Sequence, residues 1–328
     1  MKEFLTPKKI KDGYLERELN EDKAIELLIS LIEGSDNVKS RVNSIKILGT
    51  LRFRSEKIFK TLENYLISDQ DAILRATTAE YIILNFLDEG ITPLSWVIQH
   101  DKSPLVFRVF YNNINRFADE KFELILSKLD LWKNEFASNL GIVPEESGFF
   151  LDLEALFAEN EKNYEIDISS YKSFQNLADI KGKEPWLVIN NKHVESLNFN
   201  YYKWKFIKEN QSLTNSFSKL IDLDFYINSI KQFSYKPSLL STIPESIGFL
   251  IYLKKLNLSK NGLESIPYSL KKLTQLQELD LSYNNLEEFP KMLTSINSLE
   301  KLNLKHNKIQ RIPDSLWNFL NSLETFYI

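Results

Sequence analysis

One spacing pattern, written three times in succession toward the C-terminus, constrains this chain more than any other feature. Leu253, Leu256, Leu258, Asn261, Leu263, Ile266, Pro267, Leu270 and Leu273 are followed 23 positions on by Leu276, Leu279, Leu281, Asn284, Leu286, Phe289, Pro290, Leu293 and Ile296. Another 23 positions bring Leu299, Leu302, Leu304, Asn307, Ile309, Ile312, Pro313, Leu316 and Phe319. A unit this short cannot bury its own apolar face, so successive units must stack and share one core. Short strands are predicted over 256–258, 279–281 and 302–304, with leucines inward and the alternate residues outward, because a strand has a side-chain period of two. Asn261, Asn284 and Asn307 fall where the chain leaves each strand. An amide there both donates and accepts, so stacked units predict an asparagine ladder that pairs otherwise orphaned backbone groups. The proline after each Ile or Phe fixes φ and removes a donor, which suits an irregular return path.

The L-x-x-L-x-L-x-x-N-x-L form resembles the leucine-rich repeat family, in its 23-residue class. The resemblance implies a solenoid with a parallel sheet and a concave face of outward strand residues that binds another protein; partners in that class include small GTPases and signalling enzymes. Read across the three units, the outward rows are Lys255, Glu278, Lys301; Asn257, Asp280, Asn303; Ser259, Ser282, Lys305; and Lys260, Tyr283, His306. These twelve positions are the candidate partner-binding residues. Upstream, 187–194 reads as two strands around an Asn-Asn-Lys turn. Val194, Leu197 and Phe199 then take the spacing of a first rung, since a solenoid needs an atypical end to cover its core. Leu220, Leu223, Phe225 and Asn228 are expected to form the next unit, completed by Leu240, Ile243, Pro244, Ile247 and Leu250 after an inserted loop at 229–239. An alternative frame uses Ile230, Phe233 and Tyr235. Leu323, Phe326 and Ile328 begin a final strand.

A weaker repeat lies near the N-terminus. Val38-Lys39-Ser40-Arg41-Val42 is echoed by Ala72-Ile73-Leu74-Arg75-Ala76 and by Leu105-Val106-Phe107-Arg108-Val109. Each follows an acidic turn (Asp36, Asp71, Asp101) and opens a helix after a shorter one, predicted over 21–33, 55–67 and 91–99. Helix pairs at this period resemble HEAT repeats over residues 21–117, with an armadillo-like array as the other reading. Arg41, Arg75 and Arg108 are then expected to form a structural ladder pairing with acidic turns and carbonyls of neighbouring repeats. The competing reading of these arginines, an anion-binding row, is disfavoured by balanced charge.

The expected architecture is therefore α+β and multidomain: an N-terminal α-solenoid of HEAT-like helix pairs followed by a C-terminal α/β leucine-rich repeat solenoid. The expected domains are 1–117, helical repeats with an N-terminal arm; 118–185, an acidic helical connector; and 186–328, the leucine-rich part. Residues 120–185 hold 7 Lys and Arg against 14 Asp and Glu, whereas the whole chain carries a net charge of −4. No segment has the basic excess of a protein that lives by neutralising phosphates. In the connector, Phe122, Ile125, Leu126, Leu129, Trp132, Phe136 and Leu140 predict one long helix ending near Gly141 and Pro144, and Phe149, Phe150, Leu153, Leu156 and Phe157 predict another.

Composition narrows the chemistry. No cysteine occurs, which excludes disulfides, cysteine metal sites and thiol nucleophiles, and with them the cysteine-dependent ligases that carry leucine-rich repeats. The three histidines, His100, His193 and His306, are too scattered for a metal site. Phosphate-loop, dinucleotide, nucleophile-elbow and H-E-x-x-H motifs are absent from the sequence. Glu278 and Asp280 lie two apart on one strand face, about 7 Å by strand rise, but nothing around them suggests a cavity or a raised pKa. No apolar run reaches the roughly 18 residues of a membrane span, and the N-terminus lacks a signal-peptide core. The resulting expectation is a cytoplasmic, non-enzymatic adaptor without cofactor, metal or small-molecule substrate, which binds a protein partner. The alternative is nucleic-acid binding by the helical array or by the aromatic and basic cluster Tyr201, Tyr202, Lys203, Trp204, Lys205 and Phe206.

Overall fold

The computed structural model describes residues 6–158, 187–199 and 242–328. The chain divides into two compact units, the first running to Leu131 and the second comprising Trp132–Phe157 and the leucine-rich part. Together they form an α+β arrangement of paired helices and a repeat-built sheet.

The helical unit begins with α1 (Pro7–Leu15), within the part of the chain expected as an N-terminal arm. Thr6 caps it and Pro7 occupies its first turn, where a missing N–H costs nothing. There follow α2 (Glu21–Gly34), α3 (Val38–Thr50), α4 (Glu56–Ser68), α5 (Ala72–Asn85), α6 (Ile91–His100) and α7 (Pro104–Asn112). Helices α2 and α3, and α4 and α5, pack as pairs; α3, α5 and α7 pack in series, as do α4 and α6. Side-chain caps from Asn20, Asn37, Ser55, Asp71 and Ser103 satisfy orphan amides and start five of these helices. Asn37, not Asp36, caps α3.

Two of the three arginines, Arg41 and Arg75, reach acceptors in neighbouring turns. Arg41 donates to Asp69 at 2.6 Å and to the Ile32 carbonyl at 2.9 Å. Arg75 makes a two-pronged contact with Asp101 at 2.7 and 3.0 Å and adds the Asp69 carbonyl. The acceptor for Arg41 is thus Asp69, at the end of α4, while Asp71 is occupied in capping α5. Asp69 and Asp101 each also accept the backbone N–H two residues on, from Asp71 and Ser103. One carboxylate therefore ends one helix, shapes the turn into the next and receives an arginine from another pair. Arg108 lies near the start of α7, one residue deeper in its helix than Arg41 and Arg75 are in theirs.

The second unit opens with the C-terminal half of α8 (Glu123–Leu140), the helix predicted from Phe122 to Leu140. It ends at Gly141, whose φ of 79° is open to glycine without strain. Then comes α9 (Ser147–Ala158). Strands β1 (Leu187–Asn190) and β2 (His193–Asn198) form an antiparallel hairpin. Asn191 and Lys192 turn it with φ of 50° and 66°, the left-handed pair that matches strand twist. Strands β3 (Lys255–Asn257), β4 (Glu278–Asp280), β5 (Lys301–Asn303) and β6 (Thr325–Tyr327) continue in parallel, giving the order β1-β2-β3-β4-β5-β6. Strands β3, β4 and β5 each start one residue before the leucine that opened the predicted span. The last step is 24 residues, because Lys301 pairs with Thr325, and the extra residue falls in a unit that returns through a helical turn, α10 (Trp317–Asn321).

One expectation is corrected here. Residues 132–157, placed in a connector by their composition, pack on the first rung. Phe136 meets Phe150, Phe150 meets Phe149, and Phe149 meets Phe199, with ring centres 5.9, 5.3 and 6.4 Å apart. The Val143 N–H donates to Lys192 O, and buried Glu146 accepts from Val194 N–H at 3.0 Å and contacts His193 Nδ1 at 3.1 Å. Strand β2 pairs directly with β3, Leu197 opposite Leu256. The unit expected at Leu220, Leu223, Phe225 and Asn228, and the alternative frame at Ile230, Phe233 and Tyr235, fall between these two strands in sequence. Those residues lie outside the described ones, whereas Ile243, Ile247 and Leu250 are buried as expected.

The core is the stacked leucine column. Leu256, Leu279 and Leu302 are at most 2% exposed, and Leu258, Leu281 and Leu304 at most 1%; full burial of each contributes about 1.5–3 kcal/mol. The asparagines join the units. Asn284 Nδ2 donates to Leu258 O and Leu281 O, both at 2.9 Å, and its Oδ1 accepts from Leu263 N–H. Asn307 repeats this with Leu281 O, Leu304 O and Leu286 N–H, and Asn261 reaches back to Phe199 O and to its own Leu258 O.

Asn284→Ala should cost about 1–3 kcal/mol in urea unfolding, because it leaves the buried Leu263 N–H unpaired and takes from Leu258 O and Leu281 O one of the two amide donors each receives. Asn307→Ala should cost less, since Asn307 is only partly buried; equal losses would refute the ladder's role. Burial pushes the Glu146 carboxyl above its ordinary pKa, so the folded state holds that proton more tightly than the unfolded one. Stability contributed at this site therefore falls as pH rises from about 4.3 through the raised folded value. Glu146→Gln keeps an acceptor for Val194 and removes the charge, and its stability relative to wild type should rise over that window.

Candidate functional site

The sheet registers the outward residues into two rows. The first runs Ser196, Lys255, Glu278, Lys301, Thr325, and the second Asn198, Asn257, Asp280, Asn303, Tyr327. They line a concave groove of about 630 Å³, with Glu195 and Lys254 at one end.

The first row is internally paired. Glu278 accepts from Lys301 at 3.0 Å and lies 3.2 Å from Lys255, so one carboxylate bridges two ammonium groups from adjacent rungs. The Lys301 hydrogen bond, with Lys255 adding to it, holds the Glu278 carboxyl below the usual range. Lys254 is paired likewise with Glu195 at 2.8 Å. Glu278 is thus held ionised, the opposite of what a general acid needs.

The second row shapes the turns. Asn257 Oδ1 accepts from Ser259 N–H at 3.0 Å and Ser259 Oγ at 2.7 Å; Asp280 does the same for Ser282 at 2.9 and 2.7 Å, and Asn303 accepts from Lys305 N–H. These side chains mimic a turn of backbone, which is what short polar residues do at a strand end. Ser259 and Ser282, expected on the exposed face, are 2% and 4% exposed and face these acceptors. They belong to the scaffold, because the chain has already turned into the core at that position. Lys260, Tyr283, Lys305 and His306 lie outside the groove's lining.

The predicted residues therefore separate into a groove floor (Lys255, Asn257, Glu278, Asp280, Lys301, Asn303), a buried pair (Ser259, Ser282) and an outer strip. The end strands supply what the three-unit reading omitted, namely Ser196, Asn198, Thr325 and Tyr327. Alternation around Phe326 was the available signal for Thr325 and Tyr327, and only strand pairing revealed the other two. Tyr201, Tyr202, Lys203, Trp204, Lys205 and Phe206 lie outside the described residues. Among the described residues there is no grouping of His, Asp and Glu able to hold a metal ion, and no helix is long and apolar enough to cross a membrane.

Two family models match the repeat residues. A model of leucine-rich repeats, in two copies, matches residues 253–291, and a second leucine-rich repeat model matches residues 298–319. The units built on β3, β4 and β5 are leucine-rich repeats. A leucine-rich repeat protein of Leptospira interrogans with a solved structure is 31% identical over 26% of this chain, with a TM-score of 0.24. The alignment spans 22% of that protein. No curated protein matches the chain.

Followed by carboxyl NMR, Glu278 should titrate below the ordinary glutamate value of about 4.3. Lys301→Met should move its midpoint upward while costing under about 1 kcal/mol of stability, because the pair is solvent-exposed. A midpoint unchanged by the substitution would show that the ammonium bridge does not set it.

Proposed function

We propose that this chain is a non-catalytic adaptor that binds a protein partner through the groove of its leucine-rich repeats, with its paired helices forming a HEAT-like array. Leucine-rich repeats generally mediate protein–protein interaction, and here the supporting observation is the floor of the groove. Its side chains are ordered before any partner arrives. Lys255, Glu278 and Lys301 hold one another across three rungs, while Asn257, Asp280 and Asn303 are tied into the turns. A surface already ordered loses less side-chain entropy on association, which is the main cost an interface must offset. The carboxylates are committed to lysines and turn amides, so they serve as fixed contact points more readily than as proton-transfer groups. The arginine row of the helical unit supports the same division of labour. Arg41 and Arg75 engage carboxylates and carbonyls within the array and act as its joints.

The triple swap Lys255→Glu, Glu278→Lys, Lys301→Glu tests this reading. It preserves alternation along the row, so the melting temperature should stay within a few degrees of wild type, while the charge presented to a partner inverts. Partners recovered by affinity capture from the native cell extract with the wild-type chain should be lost with the swapped one. Retention of the same partners by the folded variant would exclude the groove.

A further inference from the structure

Beside the groove, one conformation recurs at the residue preceding each ladder asparagine. Lys260, Tyr283 and His306 have φ of 60°, 56° and 59°. This left-handed region is comfortable for glycine and tolerable for asparagine, and it strains bulkier residues. The three positions nevertheless carry long or aromatic side chains with polar tips, and they come into register. The rings of Tyr283 and His306 stack with centres 4.1 Å apart and planes at 21°. Lys260 Nζ lies 5.6 Å from the Tyr283 ring centre on the preceding rung, and Lys305 Nζ lies 4.5 Å from that of Tyr327 on the following one. Tyr283 and Tyr327 are 49% and 46% exposed, and Lys305 and His306 are exposed as well.

Charge distinguishes this strip from the groove floor. Lys254, Lys255 and Lys301 each meet a carboxylate, whereas Lys305 has no ion pair among the described residues and rests over an aromatic face. That contact leaves its ammonium hydrogens available. The strip thus offers phenol, imidazole and ammonium donors in a line, with no carboxylate among them.

We propose that this strip recognises an acidic peptide segment of the partner, with Asp or Glu carboxylates seated against Lys305, His306 and the hydroxyl edges of Tyr283 and Tyr327. The inference rests on the reading of the concave face as a protein-binding surface and specifies the chemistry of what it binds. Single-stranded nucleic acid, another polyanion, fits less well. Base stacking needs open ring faces, and those of Tyr283 are taken by His306 and approached by Lys260.

The test uses the full chain, fluorescence anisotropy at low salt, and three labelled probes: decaglutamate, decalysine and decathymidylate. Decaglutamate should bind and decalysine should not. Lys305→Glu should weaken binding at least about tenfold, as loss and reversal of a steering charge does. The pair Tyr283→Asn with His306→Asn separates recognition from folding. Asparagine suits the left-handed backbone, so thermal stability should hold or rise while decaglutamate binding falls by a similar factor. Undiminished decaglutamate binding by either variant, or tighter binding of decathymidylate, overturns the proposal. Loss of decaglutamate binding in the double variant, together with partner capture that survives the groove swap, would refute the groove and leave the strip standing. The reverse pattern would refute the strip alone.

Discussion

The buried asparagine amide that spans two rungs is the contact on which the leucine-rich unit depends. Leucines can fill a column in many registers, since dispersion and the hydrophobic effect carry no direction. Asn284 removes that freedom. Its Nδ2 must find Leu258 O and Leu281 O, and its Oδ1 must find Leu263 N–H, so the two units can stack in one register only. The alignment of Lys255, Glu278 and Lys301, and the stacking of Tyr283 on His306, are consequences of that register. A one-residue slip would turn the leucines outward and scatter both rows.

The ends of a solenoid are its weak points, and at the N-terminal end the chain covers the first rung with aromatic helices. Phe136, Phe149 and Phe150 carry the core from α8 and α9 onto Phe199. Glu146 ties the same helical segment to the hairpin through one backbone N–H and one histidine. A buried carboxylate is an expensive way to make that junction, since desolvation opposes its charge. What it contributes is direction, because it fixes where the segment before α9 meets β2. In the helical unit Asp69 and Asp101 have a comparable part, each joining a helix end, a turn and an arginine. Both units therefore use a few directional polar contacts to select one arrangement from what apolar packing alone would leave degenerate.

The surface that remains is divided between a charge-balanced groove and a donor-rich strip beside it. The groove's lysines and carboxylates neutralise one another along the sheet, so it presents shape and fixed hydrogen-bonding groups with little net field. The strip keeps Lys305 without an ion pair among the described residues, and holds three residues in a backbone region that disfavours them. Strain of this kind persists where the surrounding structure over-determines it. Here the ladder asparagine that follows each strained residue supplies the constraint.

By itself, the sequence determined the parts whose physics is local and periodic. The leucine spacing set the strands, the asparagines set the ladder, the Asn-Asn-Lys turn set the hairpin, and apolar stripes with capping residues set the helices. Each of these depends only on side-chain period or on hydrogen bonds within reach of a few residues. Tertiary structure decided everything that depends on partners distant in sequence. It chose Asp69 over Asp71 for Arg41, because Asp71 was already committed to a helix cap. It buried Ser259 and Ser282, because the turn closes one residue earlier than alternation suggests. It assigned part of a composition-defined connector to the first rung, and paired β2 with β3 across a long intervening stretch, because an exposed rung edge and a patch of phenylalanines are both satisfied by the same contact. Composition and period carry no information about which distant surface will meet that need.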